Sequence, residues 1–410
     1  MKIHAFHLMP WPYLPEDFRE KYRSVYIDIP PSLYDPVRGH QVYNDYLDEL
    51  EYAAEMGFDG VCVNEHHENA YGLMPSPNIA AASLARRTKD CSIIILGDSI
   101  ALYNPATRVA EEIAMLDCIS GGRIVAGFPL GTSMDTNFAY GKVPATLREK
   151  YHEAHDLIIK AWTSEEPFAW NGKYDQLRYV NVWPRPIQKP HPPIWVPGGS
   201  SEETWEWVRD QDYLYAHLSL SGYVRAQKTL DQYWGLIKDV GKEENPYRVG
   251  MTQYVFVADN DAQAEEMYAK HVEYFFQKSL HIYRGFNDAP GYRSLRSIES
   301  GLAAGGFGMQ SASAAALPGW KQYLESGSVI AGSPEKCIEQ IREACTRLRV
   351  GHLMILVQAG SLGRDAVMYN VKRLATEVLP HIRDLHSDFE DHWSPKPLAK
   401  SKQAQPAGVK

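Results

Sequence analysis

The chain is predicted to fold as one α/β domain, a (β/α)8 barrel of the TIM-barrel type with long inserted loops. Eight apolar runs of strand length are separated by helical patterns. Most runs are continuously apolar, as parallel strands covered on both faces are, and the composition does not shift between the two halves of the chain. A doubly wound open sheet is the alternative, but the count of eight strands and the final strand–helix unit favour the barrel.

The predicted strands are short runs bounded by turn residues, at 3–9, 60–65, 92–99, 123–128, 193–198, 213–218, 249–258 and 352–358. Amphipathic helical patterns lie between them. The first pattern, at 42–56, ends before Gly57, a typical C-terminal stop. The pattern at 333–348 begins with Ser333-Pro334, an N-cap residue followed by the proline favoured in a first helical turn.

Three long insertions interrupt this regular alternation. A proline- and tyrosine-rich loop spans 10–41, and a hairpin is predicted within 164–192. The segment 284–330 is rich in Gly, Ala and Ser, and its length suggests a lid-like insertion. The predicted domain therefore spans 1–393, and the polar residues 394–410 are expected to form a disordered tail.

The bulk composition excludes several classes of protein. The formal net charge is −9 and no long basic block occurs, which argues against a nucleic-acid or membrane-surface partner. The five cysteines are odd in number and form no C-x-x-C motif, and four lie in apolar or helical contexts where cysteine is usually a small core residue, so a reducing cytosol is favoured over secretion. The N-terminus lacks the apolar core of a signal peptide, and no run reaches the length of a membrane span. A cytoplasmic protein is expected.

Three protonatable side chains follow the second predicted strand: Glu65, His66 and His67. The carboxyl ends of barrel strands form the functional face, and a histidine beside a carboxylate suits acid–base catalysis near neutral pH. These three are the candidate catalytic residues. Adjacent strand residues point to opposite sides, so the two histidines are not expected to share a metal, and no metal site is predicted. The alternative is a histidine that only bonds a neighbouring carboxylate or backbone group.

The stretch "PIWVPGGSSEETWEW" reads as a strand, a turn and a helix. Ser200 and Glu203 have the spacing of a capping box. The same turn also suits phosphate binding, because Gly198 and Gly199 let the backbone approach a ligand and a helix N-terminus presents free N–H groups. The chain has neither a P-loop nor a G-x-G-x-x-G after a strand, so no classical dinucleotide domain is predicted.

Several stretches together are similar to the bacterial luciferase-like, flavin-dependent monooxygenase family. They are "AEMGFDGVCVNEHH", "SPNIAAASLARRT", "NPATRVAEEIAMLDCISGGRIVAGF", "PIWVPGGSSEET" and "GSPEKCIEQIRE". The resemblance is dense over about residues 43–215 and looser over the last two strand–helix units. The order and spacing of several motifs make it specific.

The resemblance implies a luciferase-like TIM barrel that binds FMN, usually in its reduced form. His66 matches the family's active-site histidine, Asn104 a polar residue near the flavin, and Tyr151 a position that contacts it. The flavin phosphate is expected at the start of the helix after the fifth strand. The residues expected to bind the cofactor are Asp98, which follows the third strand, and Asn104, Tyr151, Gly199, Ser200 and Ser201.

The implied reaction inserts one oxygen atom from O2 into a small apolar organic substrate, such as an aldehyde or ketone. His66 is expected to act as acid or base, with Glu65 or a neighbour setting its tautomer. Luciferase has a reactive cysteine and an arginine after its fourth strand, where this chain has Pro129 and Leu130. Light emission is therefore not expected, and one phosphate-binding cation is missing.

Two alternative functions remain open on the same fold: a deazaflavin-dependent hydride-transfer oxidoreductase, and a non-catalytic flavin-binding relative. Because no dinucleotide motif is present, reduced FMN is expected from a separate NAD(P)H:flavin reductase. The family resemblance implies a homodimer. Trp11, Tyr13 and Tyr34 in the first long loop are expected to line an apolar substrate pocket.

Overall fold

Eight parallel strands close into a barrel, which confirms the predicted TIM-barrel fold. The computed structural model describes residues 1–131, 133–218, 220–287, 291, 293–296, 298–299 and 317–400. Its strands are β1 (Lys2–Phe6), β2 (Gly60–Val63), β3 (Ser92–Leu96), β4 (Ile124–Gly127), β5 (Phe168–Asn171), β6 (Gln176–Val180), β7 (Ile194–Gly198), β8 (Leu214–His217), β9 (Val249–Val257), β10 (Val329–Gly332) and β11 (His352–Leu356). The ring runs β1-β2-β3-β4-β7-β8-β9-β11, and the parallel pairing of β11 with β1 closes it.

A further parallel strand, β10, is absent from the sequence prediction. It extends the sheet beside the second half of β9, with Val329 paired to Tyr254 and Gly332 to Val257. Its apolar run holds only three residues before the glycine, too short to stand out after a Gly-, Ala- and Ser-rich stretch. The insertion predicted at 284–330 thus ends inside a strand. Within that insertion, residues 288–290, 292, 297 and 300–316 lie outside the described residues.

Helices cover the outside of the barrel and connect its strands. They are α1 (Phe18–Lys21), α2 (Pro36–Glu55), α3 (Pro77–Arg87), α4 (Thr107–Ser120), α5 (Met134–Ala139), α6 (Leu147–Thr163), α7 (Glu202–Asp210), α8 (Tyr223–Asp239), α9 (Asp261–Tyr274), α10 (Arg284–Asn287), α11 (Trp320–Glu325), α12 (Pro334–Leu348) and α13 (Arg364–Arg373). The predicted N-cap of α12 is confirmed, because the Ser333 hydroxyl accepts a hydrogen bond from the Lys336 N–H at 3.4 Å.

Helix α2 begins six residues before its predicted start at residue 42. Asp35 caps it, because its Oδ1 accepts hydrogen bonds from the N–H groups of Val37 (2.8 Å) and Arg38 (3.2 Å). Pro36 then occupies the first helical position, where its missing N–H costs nothing. The apolar stripe alone could not indicate this start, because the first turn of α2 lies largely on the surface. The hairpin predicted within 164–192 is confirmed as the antiparallel pair β5–β6.

The amino-terminal end of the barrel is filled by stacked rings. His4 Nε2 and His352 Nδ1 lie 3.1 Å apart, and the His352 ring lies 4.8 Å from the Trp195 ring. The Trp195 indole donates to the carbonyl of Trp393 at 2.9 Å, so the C-terminal segment covers this end. These side chains are buried and pack as core.

The residues of the predicted tail that the structure describes contact the barrel. The Lys396 N–H donates to the Gln188 amide oxygen at 3.0 Å, and the Leu398 N–H donates to the Gly121 carbonyl at 2.9 Å. The remaining tail residues, 401–410, lie outside the described part of the chain. In the described part, no helix combines the length and the apolar character that crossing a membrane requires.

Candidate active site

Two neighbouring histidines at the mouth of the barrel turn to different carboxylates. They follow β2, whose four residues are all buried. His66 Nδ1 lies 2.8 Å from Asp135 Oδ2, whereas His67 Nε2 lies 2.8 Å from Glu65 Oε1. The structure therefore brings the three predicted catalytic residues together, but it divides them between two hydrogen-bonded pairs.

Asp135 of helix α5, which is not among the residues predicted from the sequence, holds His66. Its side chain is fully buried. Its Oδ2 also faces the side-chain amide of Asn69 at 3.1 Å and the N–H of His67 at 3.4 Å. Burial alone would raise the pKa of Asp135, but the charge of His66 and the hydrogen bonds outweigh burial, so the pKa lies below its ordinary value. The carboxylate is therefore ionised at neutral pH.

Glu65 turns away from His66 and anchors the loop after β3. Its Oε1 accepts a hydrogen bond from the Tyr103 hydroxyl at 2.8 Å, and its Oε2 accepts one from the N–H of Ser99 at 2.6 Å. The sequence predicts that Glu65 or a neighbour sets the tautomer of His66. The carboxylate that contacts His66 is not that of Glu65 but that of Asp135. Burial, followed by the charge of Glu65, raises the pKa of Tyr103 above its ordinary value.

His66 forms part of the wall of a cavity of about 420 Å³. The other lining side chains are mainly apolar and come from the first long loop, helix α2 and the loop after β2, and they include Trp11, Ile29, Leu33, Tyr34, Tyr43 and Leu73. Two of the three aromatic residues expected at such a pocket, Trp11 and Tyr34, line it. Tyr13 packs edge-on against Trp11 with ring centroids 5.2 Å apart.

A buried pair joins the segment after β1 to helix α2. His7 Nε2 lies 2.8 Å from Glu49 Oε2, and His7 Nδ1 accepts a hydrogen bond from the Met9 N–H at 2.8 Å. Met9 has a φ of 51° and its carbonyl accepts from the Leu73 N–H at 2.8 Å. The backbone N–H of Trp11 donates to a backbone carbonyl in the loop after β2. These backbone hydrogen bonds hold the first long loop and the loop after β2 next to each other.

The turn after β7 leads into α7 without a capping box. The N-cap residue is Ser201, not Ser200, and its side chain makes no capping hydrogen bond. The Ser201 hydroxyl instead lies 3.3 Å from the Arg148 guanidinium. The capping-box interpretation is therefore wrong. The helix starts one residue later than that motif requires, and its leading N–H groups receive no cap from Ser201.

Arg148 places a positive charge beside this helix N-terminus. It comes from α6, and its guanidinium also lies 3.4 Å from the Thr204 hydroxyl and 3.5 Å from the Glu203 carboxylate. The cation predicted to be missing is one after the fourth strand, and Arg148, at the turn after β7, is not among the residues predicted from the sequence. Arg148 lies three residues before Tyr151 on one helix, so the two share a face. This three-residue spacing from Tyr151 is visible in the sequence and could have identified Arg148 as a candidate.

Two of the other residues predicted to bind a cofactor, Asp98 and Tyr151, bond to consecutive residues at the end of β4: the Asp98 N–H donates to the Gly127 carbonyl at 2.9 Å. Tyr151 is buried and its hydroxyl donates to the Phe128 carbonyl at 2.8 Å, just past β4. Asp98 is buried and accepts a hydrogen bond from Asn78 of α3 at 3.0 Å, and burial raises its pKa well above the ordinary value. Asn104 is exposed.

Several buried polar atoms at the carboxyl ends of the strands lack a hydrogen-bond partner. Among the described residues, Asn64 Oδ1 after β2, His217 Nε2 at the end of β8 and Gln358 Oε1 after β11 are buried without a hydrogen-bond partner. Burial lowers the pKa of His217 to about 4, so its ring is neutral at pH 7. Atoms of this kind also occur at the other end of the barrel, at His4 Nδ1 and His352 Nε2; those at the mouth are placed where a ligand or water could bond them. Within the described ranges, no cluster of three or more His, Cys, Asp or Glu side chains is placed to hold a metal ion.

Comparison with known proteins extends these observations. A family model described as luciferase-like monooxygenase matches residues 27–350. The uncharacterized protein y4wF of Sinorhizobium fredii is 33% identical over 154 residues, which are 38% of this chain and 44% of that protein. The oxygenase component of flavin-dependent trigonelline monooxygenase from Acinetobacter baylyi is 29% identical over 161 residues, 38% of this chain and 43% of that protein. Each match spans less than half of the relative's length.

A solved structure with a similar fold is the oxygenating constituent of 3,6-diketocamphane monooxygenase from Pseudomonas putida, a type II Baeyer–Villiger enzyme in complex with FMN. The TM-score is 0.70, and the match covers 93% of this chain and 98% of that chain at 18% identity. At this identity the similarity supports the fold alone.

Proposed function

The chain belongs to the luciferase-like monooxygenase family, and on that premise we propose that it is an FMN-dependent monooxygenase. It inserts one oxygen atom from O2 into a small apolar organic substrate, with aldehydes and ketones as the expected class. The observation that carries this proposal is the position of His66 in the wall of a mainly apolar cavity of about 420 Å³. A cavity of this kind, with few polar groups, suits a compact carbonyl compound.

The residues at the start of α7 fit the phosphate of FMN. A Cβ atom added at Gly199 would meet no atom within 4 Å, so space is open beside this residue. The leading N–H groups of α7 receive no cap from Ser201, and free N–H groups at a helix N-terminus bind anions. Arg148 adds a guanidinium that can form charge-assisted hydrogen bonds to phosphate oxygens. Gly199, Ser200 and Ser201 remain the proposed phosphate-binding residues.

The orphaned atoms at the mouth fit the polar edge of a flavin ring. Asn64 Oδ1 and Gln358 Oε1 can accept hydrogen bonds, and His217 Nε2 is one further polar atom. A flavin ring carries both N–H and carbonyl groups, so it could bond these atoms. Reduced FMN, when bound, supplies the electrons that activate O2. The chain's own part is to hold the cofactor and to keep water away from it.

His66 is the proposed acid–base residue. Its Nδ1 is occupied by Asp135, which leaves Nε2 to take a proton from the reacting group and to return it. Trp11 and Tyr34 line the same cavity and give it an aromatic wall. Glu65 and His67, bonded to each other, support the loop that carries His66.

Reduced FMN is proposed to come from a separate NAD(P)H:flavin reductase. The sequence has no dinucleotide-binding motif, and the trigonelline relative is named as an oxygenase component. A homodimer is proposed on the family resemblance.

The proposal is tested by product analysis. Purified protein is supplied with chemically reduced FMN, ¹⁸O2 and a panel of carbonyl and aromatic compounds, and the products are analysed by mass spectrometry. We expect one ¹⁸O atom per product molecule. Turnover with a reduced deazaflavin and no incorporation of oxygen would instead assign a hydride-transfer enzyme. Flavin binding with no product from any substrate class would assign a carrier.

A further inference from the structure

We propose that Asp135 is the positioning residue for His66, holding it as the Nδ1–H tautomer so that Nε2 faces the cavity as the proton acceptor. This inference rests on the proposed function, in which His66 moves the proton. It goes beyond the sequence prediction, which offers Glu65 or an unspecified neighbour for this task.

The hydrogen-bond pattern around one oxygen determines the direction of the His66 bond. Asp135 Oδ2 faces the backbone N–H of His67 and the amide nitrogen of Asn69 as well as His66 Nδ1. The amide orientation of Asn69 is fixed independently, because its Nδ2 also donates to a backbone carbonyl at 2.7 Å and its Oδ1 accepts from the Gly72 N–H at 2.9 Å. An oxygen that accepts from two N–H groups carries no proton of its own. His66 Nδ1 is therefore the donor.

The second ring nitrogen is left for chemistry. The side chain of His66 is 17% exposed and lines the cavity, whereas the carboxyl group of Asp135 is fully buried. In the described part of the chain, Nε2 of His66 has no hydrogen-bond partner. When Nε2 takes up a proton, an N–H bond forms there and the Nδ1–H stays on the ring. The new positive charge then faces the Asp135 carboxylate, which stabilises it.

Other titratable groups near His66 do not replace this carboxylate. The rings of Tyr71 and Tyr26 lie 4.6 Å and 6.4 Å from the His66 ring, and burial raises both of their pKa values, so both remain neutral. Glu65 and His67 are bonded to each other. Glu68, the remaining acidic neighbour on the loop, is exposed at the cavity rim.

The test reads the tautomer directly in the cofactor-free protein by ¹⁵N NMR of histidine-labelled full-length chain. The His66 signals are assigned from their loss in His66→Gln. We expect Nδ1 to be protonated and Nε2 to be unprotonated in the neutral ring. Asp135→Asn keeps an oxygen for the three donors but removes the charge, so the Nδ1–H tautomer should stay. Asp135→Ala removes both effects and mixes the two tautomers.

The matched control is Asp391→Asn, which removes a carboxylate beside His352 at the other end of the barrel, and it should leave the His66 signals unchanged. Where turnover is measurable, kcat/KM should fall in Asp135→Asn and recover partly in Asp135→Glu. An Nε2–H tautomer in the wild-type protein, or His66 signals that are identical in Asp135→Ala, would overturn the proposal. Because the spectra need no cofactor, failure of the monooxygenase assignment gives a different result: the expected tautomer without oxygen incorporation.

Discussion

Histidines meet carboxylates at both ends of this barrel, with different consequences. At the amino-terminal end, His352 lies 3.1 Å from His4 and 3.5 Å from Asp391, and all three are covered by rings and by the C-terminal segment. At the mouth, His66 bonds Asp135 through Nδ1 and forms part of a cavity wall. A histidine–carboxylate pair therefore indicates function only where a ring nitrogen can reach a ligand.

The largest expected effect is a difference in kcat between variants at the two ends of the barrel. His66→Gln should lower kcat by about 100-fold or more, the typical contribution of a positioned acid–base group, with unchanged FMN affinity. His352→Gln at the closed end should leave kcat per folded molecule unchanged and lower the free energy of unfolding by about 1–3 kcal/mol, because it leaves buried polar groups unpaired. Turnover assays measure kcat, and urea denaturation measures the free energy of unfolding. Equal kcat losses in the two variants would remove the distinction between the ends.

The closed end should also make stability depend on pH. Burial lowers the pKa of His4 to about 3, whereas an unfolded histidine titrates near about 6.5. Below that value the unfolded chain binds the proton and the folded chain does not. The free energy of unfolding is therefore highest above pH 6.5 and falls as the pH decreases, by up to about 1.4 kcal/mol per pH unit from this group.

Urea denaturation between pH 7.5 and pH 5 measures this slope, and His4→Gln should make it shallower. The same slope in the variant would show that His4 does not carry the effect.

At the mouth, Arg148→Gln should weaken FMN binding by about tenfold or more, because a hydrogen bond from a charged group is worth about 1.5–3 kcal/mol. Riboflavin, which has no phosphate, should bind the variant as well as it binds the wild-type protein. Arg108→Gln is the matched control, since Arg108 is an exposed arginine on α4 paired with Glu112. Equal losses for FMN and riboflavin would show that Arg148 acts on the ring or on folding.

The smallest expected effect comes from the neutral groups of the same turn. The double variant Ser200→Ala, Ser201→Ala should lower FMN affinity several-fold, because each neutral hydrogen bond contributes about 0.5–1.5 kcal/mol. Helix α7 should not lose a cap, since Ser201 makes no capping bond, and circular dichroism should stay unchanged. Unaltered affinity for FMN would remove both serines from the proposed phosphate site.

The sequence predicts the barrel well because its signals are local. Continuous apolar runs mark β2 and β3, and Ser333 marks the start of α12. The short strand β10 is not predicted, because its pairing with β9, rather than its own composition, makes it a strand. Local patterns thus indicate which elements exist, while pairing partners depend on the closed fold.

The candidate site is predictable only in part for the same reason. Glu65, His66 and His67 follow a strand, so their place at the mouth is expected. Their partners are not: Asp135 lies 69 residues away from His66 on a short helix, and Arg148 reaches Ser201 across 53 residues. Nothing in the local sequence of either residue shows which neighbour it will meet once the barrel closes.

The central claim is that the open end of the barrel holds FMN between the start of α7 and His66. A crystal structure of the protein with oxidised FMN tests it most directly. We expect the phosphate within hydrogen-bond distance of the Arg148 guanidinium and of the leading N–H groups of α7, with the flavin ring beside the cavity that His66 lines. A phosphate bound elsewhere, or a flavin ring out of reach of His66, would contradict the account.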